Sequence, residues 1–398
     1  MKATALCISV CIFLPTQVFS AALETSNQSI ASFLEPNNYL EFSTAIVDAN
    51  VSGNIYRPEA EDLSTLTEVA TPNFVRRYVL FNTSLKLQLH PNWSLGFIYD
   101  QPFGTNVDYT FDPIPSSPAN LINATQFKLD TKNLSSLLGY QPNPFLNFYA
   151  GLSHQTLSTQ VKISGQSSGL LIDYHGDIQK NSAHGWLAGM SYQIPEYALK
   201  TSLTYRAKIR HKHPFNEQTI TTPTIPLLNL SSDQNTTIET PQSVNLEFQS
   251  GITAHNLIYA SLRWVNWQNF KIASPLISSS SNNPVMLVDY QNDQWATTLG
   301  MAHVFSGKWT STIDIGRDSG IGNPASTLSP SNGLYSLGLG SFYQIHSNLF
   351  IAGGIKYFKL NKAKVQQDPN GSGSLFKPLS SVNNNHAFAY GIKMGYRF

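Results

Sequence analysis

The chain has 398 residues, with 25 Lys and Arg against 24 Asp and Glu; only 12% of residues are charged and another 12% are aromatic. A charge balance this close to zero excludes a polybasic nucleic-acid or anionic-membrane binder. Two cysteines, Cys7 and Cys11, both near the N-terminus, exclude a disulfide framework and a thiolate metal site once that segment is removed.

Residues 1–20 read as a secretory signal peptide. Lys2 gives the basic start, an apolar run covers residues 3–14, Pro15 breaks it, and Val18 and Ser20 suit cleavage before Ala21. The run is too short to span roughly 30 Å of hydrocarbon as a helix, and no later stretch reaches about 18 apolar residues. Removing Lys2 leaves 24 basic and 24 acidic residues, a mature net charge of zero. Low charge with many aromatics suits a β-barrel whose outside is hydrocarbon and whose rims are aromatic girdles.

Period-two alternation then predicts strands in chain order. The first covers residues 39–48 and is followed by a long connection with Pro58 and the acidic stretch 59–62. The second (74–89) turns tightly through His90-Pro91-Asn92 into the third (93–100). A long Pro-rich segment (101–120) leads to the fourth (124–138), and a short turn to the fifth (144–163). Loop 164–180 precedes the sixth (185–192), which a tight turn joins to the seventh (197–212).

Loop 213–235 is long, and the His255-Asn256 turn between strands eight (243–253) and nine (257–270) is short. Strands ten (295–305) and eleven (309–317) share the Ser306-Gly307-Lys308 turn. Strands twelve (334–344) and thirteen (349–364) share His346-Ser347-Asn348, and loop 366–385 precedes the last. Short and long connections alternate, as in outer-membrane barrels where short turns face the periplasm. The expected fold is therefore all-β: a transmembrane antiparallel β-barrel of about 14 strands. Signal peptide (1–20), short hatch-like segment (21–36) and barrel (37–398) make up the chain.

Parity assigns faces. On the last strand Phe388, Tyr390, Ile392, Met394, Tyr396 and Phe398 share the lipid face, and Tyr396 with the terminal Phe398 forms a C-terminal signal for the barrel-assembly machinery. On strand seven Leu203, Tyr205, Ala207 and Ile209 share one parity, while Lys200, Arg206, Lys208, Arg210 and Lys212 share the other. A cation in the lipid midplane costs roughly 2 to 4 kcal/mol, so the basic row is expected in the lumen. The same rule puts Arg263 and Glu247 inside.

Local sequence resembles one family. Gln28-Ser29-Ile30, residues 33–42 (FLEPNNYLEF) and 47–53 (VDANVSG) resemble the start of the FadL/TodX outer-membrane family, which imports long-chain fatty acids and other hydrophobic compounds. Tyr99-Asp100-Gln101-Pro102-Phe103-Gly104 is similar to that family's third strand, where an inward kink opens the wall laterally. Residues 198–208 resemble its seventh strand, and 259–270, with Trp264 and Trp267-Gln268-Asn269-Phe270, its ninth.

The family's N-terminal hatch is longer than the sixteen residues here, and it carries an Asn-Pro-Ala signature. In this chain that triplet occurs as Asn323-Pro324-Ala325, in an expected external loop. The resemblance is to a short-hatch variant.

It implies a passive bacterial outer-membrane transporter for fatty acids or similar hydrophobic small molecules, which leave sideways into outer-membrane lipid at the third strand. The protein is expected to act as a monomer, without cofactor, metal or nucleic acid. Arg206, Lys208 and Arg263 are then candidate cations for a ligand carboxylate, since a buried anion needs a paired, hydrogen-bonding cation. Equally, they belong with Lys200, Arg210 and Glu247 to an ordinary lumenal charge network. Pro102 either ends strand three, as a residue without a ladder donor does, or with Phe103 and Gly104 forms the lateral opening.

Catalysis finds no constellation: the ten histidines are scattered, and no Ser/His/acid or metal-ligand spacing emerges. A diffusion porin for small polar solutes and a surface structural or adhesin barrel remain as alternatives.

Overall fold

Residues that alternate between hydrocarbon and a filled interior cannot leave a sheet edge in the membrane, because unpaired N–H and C=O groups there have no water to bond. The chain resolves this by closure. In the computed structural model, which describes residues 22–58, 66–109, 124–167, 170–222, 228–279, 285–326, 329–366 and 380–398, the first strand, Tyr39–Asn50, pairs on one side with Tyr78–His90 and on the other with the last strand, His386–Arg397. The closing register runs from Tyr39↔Arg397 to Asn50↔His386.

Between them the third strand is split into Trp93–Asp100 and Gly104–Asp108. The fourth to sixth are Ala124–Tyr140, Leu146–Ser167 and Leu170–Ile194. The seventh is split into Leu199–Arg206 and Ile209–Thr222, the eighth into Asn235–Thr240 and Ser243–Gly251. Asn256–Val265, Gln294–Val304, Trp309–Asp318, Leu334–His346 and Leu349–Leu360 complete fourteen antiparallel strands. No helix among the described residues is long and apolar enough to cross a membrane; strands make the crossing. The expected signal peptide and the acidic stretch 59–62 lie outside the described residues.

The outer face carries an apolar band, with Leu152, Leu299, Ile315 and Ile392 all exposed. Aromatics flank it. Trp93–Tyr140, Phe305–Trp309 and Tyr396–Phe398 pair at the short-turn end, Trp186–Tyr205 and Trp264–Trp295 at the other. Inside, lumen-facing rings lie over glycines of the next strand: Tyr149↔Gly189, Tyr259↔Gly300 and Phe350↔Gly395 are direct cross-strand partners, and a Cβ at each glycine would strike the ring. Small-against-large pairing lets bulky rings fill the interior without splaying the wall.

The strands are longer than the alternation suggests. A spanning strand needs only about 9 to 11 residues, yet strand six has 25 and strand five has 22. The stretches expected as loops 164–180 and 213–235 are largely strand, because the alternation inverts above the outer girdle. Lower on strand four Leu134 and Leu138 face out and Asn133 and Ser135 in; higher up Phe127 and Leu129 face in while Lys128 and Asp130 face out.

Strand seven requires a correction. Its ladder breaks at Ala207-Lys208, and parity changes there, so Ile209 is buried inside while Lys208 and Arg210 stand outside, bonded to Glu239 at 2.7 and 2.6 Å. Extrapolating one parity through the break put these two cations in the lumen. Above the girdle the outside is no longer hydrocarbon, which removes the charge penalty that argued for the inward row.

The external end carries a small sheet built from Gly53–Pro58, Leu66–Ala70, Ala325–Ser326, Ala363–Gln366 and Ser380–Val382. The connection after strand nine folds back into the barrel as a hairpin, Lys271–Ser274 with Val285–Asp289. Buried Glu217 holds it, accepting from the Leu276 N–H at 2.8 Å, from Ser274, and from Tyr174 Oη at 2.6 Å.

Candidate functional site

Three residues, Gln101, Pro102 and Phe103, separate the two halves of strand three, but only residues 131 and 132 of strand four oppose them. The extra residue pushes the chain into the lumen. Proline without an N–H suits the point where the ladder fails. Phe103 alone keeps contact with strand four, receiving Thr131 N–H at 3.1 Å and giving its own N–H to Thr131 Oγ1 at 2.9 Å.

On its other side the displaced segment pairs with the N-terminal segment instead of with strand two. Thr25 N–H donates to the Pro102 carbonyl at 3.0 Å, and Gly104 N–H to the Leu23 carbonyl at 2.8 Å. Strands two and three are thereby left unladdered between their lower pairing, which ends at Thr83↔Tyr99, and a single bridge above at Val75↔Val107. Side chains span the gap. Gln101 Oε1 accepts from Phe81 N–H at 2.9 Å, and the Tyr78 hydroxyl accepts from Asn106 N–H.

Behind this gap lies a small pocket of about 30 Å³, lined by Tyr78, Gly104 and Thr105 and by Ala22, Glu24 and Val51. Phe103 points inward onto Trp267, ring centroids 5.5 Å apart, and Trp267 packs edge-on against Phe270 and Tyr290. These rings belong to an apolar interior that fills the outer half of the barrel, with Phe74, Phe127 and Phe215 among its fully buried members.

Below it is a polar layer, and it is occupied by the N-terminal segment. Arg263 donates to Glu24 from Nε at 2.8 Å and to Gln28 Oε1 at 3.0 Å; both members of the Arg263–Glu24 pair are buried. Burial pushes the Glu24 carboxyl up from its ordinary range, while the Arg263 charge and hydrogen bond draw it back. Arg206 donates to the Gln28 carbonyl at 3.1 Å and to Ser135 at 3.3 Å. Glu247 accepts from Ser29 at 2.6 Å and Ser202 at 3.3 Å, Asn245 donates to the Asn27 carbonyl, and Lys200 to the Leu34 carbonyl. Asp100 accepts from Ser26 and Asn133.

At the bottom the short 3-10 turn Ala31–Leu34 seats Phe33 against Gly96 and Gly139, at positions where a Cβ would collide with the ring, and edge-on to Tyr149. Glu35 takes Arg397 of the last strand at 2.8 Å.

Of the residues singled out from sequence, Arg206, Arg263, Lys200 and Glu247 converge on the N-terminal segment. Pro102, Phe103 and Gly104 form the strand break. Lys208 and Arg210 are elsewhere, on the outer wall, and Tyr396 and Phe398 stack on the lipid face. Glu24, Gln28 and Asp100 as partners of those cations, Tyr78 across the gap, and the inward aromatics were missed. Glu24 carried one legible signal: it is the first acidic residue after the expected cleavage site, in a segment too short to fold alone.

The family described as outer membrane protein transport protein (OMPP1/FadL/TodX) matches residues 26–398. No curated protein matches the chain. Among solved structures, a Pseudomonas aeruginosa FadL homologue superposes with TM-score 0.75 at 15% identity, over 92% of each chain. The Pseudomonas putida toluene transporter TodX gives 0.64 at 13% identity, over 96% of this chain and 98% of its own. The Ralstonia pickettii toluene transporter TbuX gives 0.59 at 10% identity, over 96% and 99%. At these identities the superpositions show a shared fold.

Proposed function

The chain belongs to the OMPP1/FadL/TodX family of outer-membrane transport proteins, β-barrels that carry hydrophobic compounds, and from that premise we propose that it passes fatty acids or similar hydrophobic small molecules, which leave sideways at the break in strand three. The observation that carries this reading is the unladdered gap between strands two and three, with Phe103 turned from it onto the apolar interior at Trp267. A hydrophobic molecule gains by crossing from an apolar interior into lipid without meeting the aqueous periplasm.

Arg263 and Arg206 are already engaged by Glu24 and by the Gln28 carbonyl. A ligand carboxylate reaching Arg263 therefore exchanges with Glu24. Toluene-type hydrocarbons need no such exchange, and the compounds named for TodX and TbuX are of that kind.

The chain works as a monomer and performs no catalysis. Its terminal Tyr396 and Phe398 are read by the barrel-assembly machinery. The occupied polar layer disfavours a diffusion porin, since polar solutes find the lumen taken by the N-terminal segment.

Two measurements test the reading. Purified barrel titrated with a fluorescent long-chain fatty acid should bind saturably, with displacement by unlabelled fatty acid and, for an apolar pocket, equally by alkane; no saturable binding sinks it. Replacing Pro102-Phe103-Gly104 by a regular alternating strand sequence should abolish uptake while leaving the folded barrel intact. Unchanged uptake would exclude the lateral exit.

A further inference from the structure

A second interruption of the wall lies between strands six and seven. Below it the strands pair from Leu199↔Ile194 to Arg206↔Leu187; above it they pair in the same register from Phe215↔Ile178 to Thr222↔Leu171. Residues 179–186 and 207–214, eight on each side, have no ladder between them. The slot is crossed at its lower lip by Ala207 N–H to the Trp186 carbonyl, by Asn181 Nδ2 donating to the Lys212 carbonyl at 2.7 Å, and at its top by the contact of His213 with the Gln179 backbone.

Two offset bulges cause it. Strand seven changes parity at Ala207-Lys208, the bottom of the slot. Strand six changes at Gln179-Lys180, its top, where the register against strand five shifts from Leu157↔Asn181 to Thr159↔Ile178. Between the bulges, residues opposite one another point to opposite sides: Ile209 faces the lumen where His184 faces out. Antiparallel partners must share a face, so the strands cannot zip in this register, and the interruption, covered from inside by Ile209 over Gly185, is built into both sequences.

Its two sides differ. Outside, above the Trp186–Tyr205 girdle pair, stand Lys208, Arg210 and Lys212, with Glu239 as the carboxylate bonded to the first two. Inside, His211 and His213 are fully buried and stacked 5.6 Å apart. Gln155 Oε1 accepts from Thr240 Oγ1 at 2.8 Å and meets His211 Nε2 at 3.0 Å. Nε2 therefore carries the hydrogen, and Nδ1 is left a buried acceptor without a partner. His213 has only a backbone contact, at Gln179. A buried polar atom left unpaired costs free energy, and each one calls for an explanation.

We propose that this slot is a second lateral port, through which an amphipathic carboxylic acid enters the barrel from the outer-leaflet surface, its carboxyl group gathered by the outer cations and then received by His211 and His213. One proton shared between the carboxyl and Nδ1 completes the hydrogen bond, while the tail enters the apolar interior beside Phe215 and Ile238. The proposal rests on the hydrophobic-transport reading and adds the ligand's polar end and its way in.

Ser182→Cys with Lys212→Cys places two thiols on the same outer face across the slot, where oxidation locks it and dithiothreitol reopens it. Uptake of a radiolabelled long-chain fatty acid by cells carrying only this variant should fall on oxidation to the level of cells without the protein, and return on reduction. A cross-linked barrel that takes up the acid at the unlocked rate overturns the port and leaves the transport reading standing. A wild-type protein that takes up neither acid nor aromatic hydrocarbon overturns both.

If no cross-link forms, His211→Leu with His213→Leu decides, after heat-modifiable gel mobility has shown a folded barrel. The ratio of fatty-acid to toluene uptake should drop relative to wild type. An unchanged ratio overturns the proposal.

Discussion

Arg263 and Glu24 form a buried ion pair in the polar layer, and each depends on the other because both are removed from water. Taking one partner away strands the other. Arg263→Met should destabilise the barrel by about 3 to 5 kcal/mol, measured as a shift of the urea unfolding midpoint, whereas adding Glu24→Gln should recover most of that loss. If the single and double variants are equally destabilised, the pair is not coupled. Gly96 is the opposite case, a residue needed for what it lacks. Phe33 occupies the space a Cβ would fill, so Gly96→Val should cost about 1 to 3 kcal/mol by overpacking and should unseat the 3-10 turn, read as faster proteolysis near residue 33 while the barrel stays protected.

The N-terminal segment behaves as an inner strand and a bolt at once. Residues 22–38 hydrogen-bond to strands two, three, seven, eight, nine and fourteen through backbone carbonyls and polar side chains, while Ile30, Phe33 and Leu34 pack on strands three to six. Deleting residues 22–36 should leave a barrel that conducts steadily in planar bilayers, where the full chain does not; equal conductance would mean that the segment does not close the lumen.

This segment was the least legible element in the sequence, because it has no periodicity of its own: its residues are chosen by what surrounds them. The barrel strands were legible where lipid dictates the pattern. Leu246, Leu262 and Ile392 fell on the expected outer face, and Asn245, Glu247 and Arg263 on the expected inner one. Legibility failed in two ways at the outer girdle. The inside became apolar and the outside polar, so Tyr174 and Ile178 with Asp173 and Asp177 resembled a loop. The bulge at Ala207-Lys208 also leaves no compositional mark, so Lys208 and Arg210 were carried to the wrong side.

Taken together, the barrel is layered along its axis: an apolar outer interior with inward aromatics, a polar middle holding the N-terminal segment, and Phe33 seated on glycines at the periplasmic end. That order suits a hydrophobic cargo. On the proposed route it is welcomed at the outside, refused by the charged layer, and left with the walls as its way onward. Strands four to seven rise well above the band that lipid needs, so the outer interior extends beyond the membrane and offers apolar surface to molecules still in the surrounding medium.

The pairing of Leu23 and Thr25 with Pro102 and Gly104 has a kinetic corollary. These two backbone bonds satisfy an N–H and a C=O that the break in strand three would otherwise leave bare beside hydrocarbon, at roughly 1 to 3 kcal/mol for each unpaired group. On the proposed lateral route, a segment displaced to clear the passage would be pulled back by those groups. Such a door would be sprung, closing behind each molecule without a latch, a partner or a fuel.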